Sequence, residues 1–117
     1  MNQQIVKSDD VIGVSVENQQ GENLGKIEAL MLDKMTGKVS YVVLSFGGFL
    51  GMGDKLFAMP WHIFSYNPQR EKFIIALDKE KLKNSPGFDK DHWPDMTSPT
   101  WMSSINKYYG ESSARLR

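Results

Sequence analysis

Gly48 and Gly53 stand five residues apart, with Lys55 just beyond, and together they outline a phosphate-binding loop. Such a loop requires G-x-x-x-x-G-K-[ST]: backbone N–H groups cradle the phosphates, the lysine meets the terminal ones and the hydroxyl holds magnesium. Here Asp54 takes the lysine position and Lys55 the hydroxyl position. The aspartate repels phosphate, and no hydroxyl follows to hold a metal. The dinucleotide pattern G-x-G-x-x-G fails as well, because Gly51 and Gly53 are followed by Leu56. The segment after the loop reads as a strand, so no helix N-terminus is offered to an anion. The remaining reading is a glycine-rich strand connection, in which Phe49, Leu50 and Met52 are the informative residues. They either fold over an open barrel end or stand out as an apolar contact tip.

His92 lies among Asp89, Asp91 and Asp95. The spacing lacks the glycine and distal glutamate of a calcium loop. It also lacks a nearby second histidine or a cysteine for zinc. A polar loop anchored by Phe88 and Trp93 accounts for the stretch. His62 has no evident partner. Asp33 precedes a turn, where aspartate is favoured because it hydrogen-bonds its own backbone. No G-x-S-x-G elbow is present among the serines. The residues therefore nominate no catalytic group, no metal ligand and no cofactor site, and a non-enzyme is expected.

Composition narrows the classes further. Lys plus Arg is 14 and Asp plus Glu is 14, a net charge of zero. Direct nucleic-acid binding ordinarily needs a basic excess. With no cysteine, disulfides, thiol nucleophiles and cysteine zinc sites are excluded. No apolar run approaches the roughly 20 residues of a membrane span, and the N-terminus does not read as a secretory signal. A cytoplasmic location is the expectation. The 117 residues suit one packed unit.

The elements that would position these residues are mostly strands. Val11–Val16, Leu24–Asp33, Lys38–Phe46, Lys55–Trp61, Ile63–Asn67 and Lys72–Asp78 are six short candidates separated by turn residues. Gly21 can supply the positive φ of the first turn. The third strand places Val39, Tyr41 and Val43 on one face and Val42, Leu44 and Phe46 on the other. Two apolar faces require cover on both sides. One would line a barrel interior, and the other would meet a helix, a tail or a second subunit. After Asp78 the chain changes character. Ser98 as N-cap, Pro99 at the first helical position and Gly110 as the stop delimit a helix over residues 99–109. Trp101, Met102, Ile105, Tyr108 and Tyr109 fall on one face of it.

The order and spacing of Gly21-Glu22, Leu24-Gly25, Asp33, Thr36-Gly37, "YVVLSFGG" and "GDKLFAMPW" resemble the PRC-barrel domain. That family takes its name from the photosynthetic reaction centre H subunit. The same fold closes a bacterial ribosome-maturation factor. The resemblance spans about Val11 to Asp78, and the tail is similar to the extension of stand-alone bacterial members, some of them linked to stress responses. It implies a mainly β fold: a small barrel of about six strands over residues 1–80, with an extension over 81–117 carrying the amphipathic helix. It also implies a protein-interaction or assembly module and no shared catalytic residues. The sequence departs from the reaction-centre subunit in having no transmembrane helix. It departs from the maturation factor in having no preceding RNA-associated domain, so neither specific role transfers. A homodimer is expected, with Phe49, Leu50, Met52, Trp101, Ile105 and Tyr108 as candidate partner contacts. A ligand pocket under the Gly47–Gly53 loop is the alternative, and a ribosome or RNA-processing accessory role is the weaker one.

Overall fold

Strands β2 (Asn23–Asp33), β3 (Lys38–Gly47) and β4 (Asp54–Pro60) form an antiparallel meander. Strand β1 (Ser15–Asn18) extends it, pairing antiparallel with β2 on one side and parallel with β6 (Lys72–Ile75) on the other. Strand β5 (Phe64–Asn67) pairs antiparallel with β6. The order across the sheet is β4-β3-β2-β1-β6-β5. These relations come from a computed structural model that describes residues 5–47 and 54–110.

That order puts β4 and β5 at opposite edges of the sheet, yet a single 3-10 turn, Trp61–Ile63, joins them. Four Cα steps from Pro60 to Phe64 span at most about 15 Å. The sheet must therefore curl until its edges approach each other. The result is a barrel-like sheet with an open seam, because β4 and β5 do not pair. Curling is eased in β2 by register shifts between Ile27 and Ala29 and between Met31 and Leu32. Bulges of this kind raise local twist. Gly25 adopts φ 113°, and a Cβ there would stand 2.1 Å from the Ser45 carbonyl oxygen. β2 and β3 approach this closely only because that position has no side chain.

Alternation on β3 distributes two apolar clusters. Val42 and Leu44 are fully buried in the interior with Ile27, Phe57, Met59 and Ile75. Val43 packs with Leu56 and Ala58 on the outer face, where Phe88, Met96 and Trp101 cover them. Both faces of the third strand are thus covered, the outer one by the chain's own C-terminal segment. Each fully buried Val or Leu contributes roughly 1.5–3 kcal/mol.

Several boundaries differ from the sequence expectation: Trp61 and Ile63, expected in strands, lie in the 3-10 turn between β4 and β5, and two further differences change an element. Val11–Val16 is not one strand: Ser8–Val11 forms a helical turn, α1, and β1 begins only at Ser15. Gly13 at φ 90° breaks the extended run. Its N–H still donates to the Ile27 carbonyl at 2.8 Å, so the chain rejoins β2 irregularly. The sixth strand stops at Ile75 rather than Asp78. Asp78 is instead the N-cap of helix α2 (Lys79–Lys83), its carboxylate accepting from the Lys81 N–H at 2.7 Å.

The C-terminal helix matches its signals. Helix α3 runs Pro99–Ile105 and continues as a π turn, Asn106–Gly110. The Ser98 hydroxyl accepts from the Trp101 N–H at 3.3 Å, and Pro99 opens the helix.

Candidate interaction surface

Phe49, Leu50 and Met52 lie outside the described residues, as does the core of the Gly47–Gly53 loop. The other three candidates sit on α3 and its π turn, turned onto their own sheet. Ile105 is 1 % exposed and belongs to the interior cluster. Trp101 stands edge-on to Tyr41, ring centroids 5.0 Å apart at 71°. The Tyr108 hydroxyl donates to the Lys81 carbonyl at 2.7 Å and ties the π turn to α2. The Lys81 ammonium lies 5.2 Å from the same ring. The helix packs within its own chain, and Ile105 has no surface left for a partner. Its neighbour Tyr109 is buried as well, with a hydroxyl that finds no partner among the described residues. Burial drives that phenol far above its ordinary range, and the Ser85 hydroxyl beside it is committed to the Leu82 carbonyl at 2.6 Å.

The candidate polar residues do not converge. His92 Nδ1 lies 3.8 Å from the Asp89 carboxylate, and both side chains are exposed. Asp95 serves the backbone instead: its carboxylate accepts from the Thr97 hydroxyl and N–H, which holds it below the usual carboxylate range. Among the described residues no three His, Cys, Asp or Glu side chains are grouped to hold a metal. His62 sits exposed in the Trp61–Ile63 turn. Asp33 accepts from the N–H groups of Met35 and Thr36, the turn role its position suggested. No helix among the described residues is long and apolar enough to cross a membrane.

What the structure brings together is a row of rings at the open seam. Phe73 is the hub. Tyr66 stands T-shaped against it at 5.0 Å, Phe64 at 6.2 Å and Trp61 at 6.0 Å, and Trp61 stacks on Phe64 at 6.4 Å. The register pairs Phe64 with Ile75 and Tyr66 with Phe73, so both β5 rings share the core-facing side. Yet Tyr66 is 50 % exposed and Trp61 36 %, and among the described residues no strand closes the sheet over them. Beyond these rings, the outer edge of β5 has no strand neighbour among the described residues. The opposite edge is treated differently. Leu56 of β4 exchanges two backbone hydrogen bonds with Phe88, at 2.9 and 2.8 Å. Sequence reading assigned Trp61 and Tyr66 to strands without this role. Alternation of Phe64 and Tyr66 with Ser65 marks one face of β5, but long-range sheet order decides whether that face is closed.

On the other side of the same strands lies an ion trio. Glu17, only 8 % exposed at its side chain, receives Arg70 on one oxygen at 2.6 Å and Lys72 on the other at 2.5 Å. The Lys72 hydrogen bond, with Arg70 beside it, holds the Glu17 carboxyl below the usual range against the opposing pull of burial. The trio ties β1 to the β5–β6 turn, closing contacts more than fifty residues apart in sequence.

A family model described as PRC-barrel domain matches residues 4–82, more than half of the 117-residue chain. None of the curated proteins matches the sequence.

Proposed function

The chain belongs to the PRC-barrel domain family, and from that premise we propose that it is a non-catalytic assembly module that forms a homodimer, β5 of one copy against β5 of a second. The observation that carries this reading is the unpaired β5 edge bordered by the half-exposed rings of Tyr66 and Trp61. An unpaired edge is a template for another strand, and natural proteins usually cover it or arm it with charge. Here β4 is covered by Phe88, while β5, with the sequence Phe-Ser-Tyr-Asn, carries no charge. An edge strand running antiparallel to its own copy is self-complementary about a twofold axis. Four paired residues make a small contact, and a stable interface needs on the order of 1,000 Å². The exposed aromatic rings supply the additional apolar area. The non-catalytic reading is supported by the scatter of the histidines: among the described residues, Asp89 alone lies within ion-pair reach of either.

Tyr66→Lys tests it by placing a charge beside the edge, which disfavours strand addition. Sedimentation equilibrium of the unmodified protein is expected to give twice the chain mass, and the variant the single mass. Thermal unfolding of the variant checks that it remains folded. A single-mass species for the unmodified protein across the micromolar range contradicts the proposal.

A further inference from the structure

Behind the aromatic row, on the opposite sheet face, is a cleft of about 240 Å³. Ile74 supplies its apolar side, and Glu17, Asn18, Gln19, Gly21, Asn67 and Arg70 line the rest. Register places these groups together: Glu17 pairs with Ile74, and Asn67 with Lys72, all on the side away from the core. Apart from the exposed Gln19 amide, the side chains of the cleft offer donors and few vacant acceptors. Both Glu17 oxygens are occupied by cations. The Asn18 side-chain oxygen is taken by the N–H groups of Gln20 and Glu22, and its amide nitrogen donates to Glu22 at 2.7 Å. The Asn67 oxygen is likewise taken by the N–H groups of Gln69 and Arg70. Its amide nitrogen makes no hydrogen bond among the described residues. A guanidinium carries five N–H donors in a planar fork. Arg70 commits one of its terminal nitrogens to Glu17 and is itself half-exposed.

We infer that this cleft binds a carboxylate. The Arg70 fork receives it in the plane, the Asn67 amide donates to it from the side, and the apolar Ile74 side lies along the attached carbon chain. A planar monoanion matches a guanidinium bidentately. A tetrahedral dianion does not match the planar fork and carries a second charge toward Glu17, so it gains less. The Glu17 carboxylate offsets Arg70 and Lys72, so the site binds weakly. The carboxylate comes either from a free small acid or from the C-terminus of a peptide, and the chemistry is shared. The cleft lies on the face away from the aromatic row and needs no second copy of the chain.

A titration followed by amide and guanidinium NMR tests this on the whole protein. The probes are acetate, glutamate, and one tetrapeptide with either a free or an amidated C-terminus, with sodium chloride at matched ionic strength as the reference. The expected result is saturable shifts of the Arg70 Nε–H, the Asn67 side-chain amide and the Gly21 N–H with each carboxylate, and none with the amidated peptide. Arg70→Lys keeps the charge that holds Glu17 but removes the fork, and it is expected to weaken binding at least about fivefold. Tighter binding of the free-ended peptide than of acetate and glutamate identifies a peptide terminus as the ligand, and the reverse order a small acid. Linear shifts equal to those with chloride, or shifts unchanged in Arg70→Lys, overturn the site.

Discussion

Glu17 and Tyr109 show two opposite ways of burying a polar group. Glu17 has both oxygens satisfied by cations, and its folded carboxyl titrates below its ordinary value. A carboxyl with a lowered folded pKa stabilises the fold above the unfolded value, and that contribution disappears as pH falls through the lower folded one. Thermal stability is therefore expected to fall on acidification below the ordinary glutamate value of about 4.3. Glu17→Gln should be less stable at neutral pH and show a flatter profile, read from melting temperatures on either side of that value. Tyr109 is the converse, a buried hydroxyl with no hydrogen-bond partner among the described residues. Leaving a buried donor unsatisfied costs roughly 1–3 kcal/mol, so Tyr109→Phe is expected to stabilise the protein by about 1 kcal/mol in urea unfolding. Neither role was legible in the sequence. Glu17 sits in a strand, but its cations come from a turn more than fifty residues away. Tyr109 was legible as part of an apolar helix face, while the fate of its hydroxyl depends on what packs above it.

At the scale of elements, local chemistry was a good guide where it acts locally. Ser98 and Pro99 marked the start of α3, Asp33 and Gly37 made the β2–β3 turn, and the two-sided β3 was rightly read as covered on both faces. The N-terminal strand was misread because Val11, Val14 and Val16 look alike in a strand and across a helical turn. Gly13 at φ 90° resolves the two. Gly25 was legible only as a residue of the family pattern. Its reason is the backbone of β3, 2.1 Å from where a Cβ would stand, at a φ that disfavours side chains. Gly25→Ala combines backbone strain with a steric clash and is expected to lose roughly 2–5 kcal/mol, measured by chemical denaturation. An unchanged midpoint would mean that β2 and β3 separate easily, against the tight register their pairing shows.

For the whole molecule, the six strands were legible and the open seam was not. Sheet order is a long-range property, and β4 and β5 are sequence neighbours that end on opposite edges. The C-terminal segment then covers one edge and one face, through Phe88 and through Trp101 on Tyr41. The helix, which the sequence left free to dock on its own barrel or on a neighbour's, packs on its own sheet, and the proposed self-association rests on the β5 edge. A cysteine-free chain allows that claim to be probed at a single position. Ser65, exposed in the middle of β5, can be replaced by cysteine and carry a nitroxide label. Paired strands lie about 4.8 Å apart, so two labels on β5 edges that pair across a twofold axis are expected to give one narrow distance below about 25 Å by pulsed dipolar spectroscopy. No dipolar coupling, or a distance comparable to the 40 Å extent of the molecule, would contradict self-association through this edge.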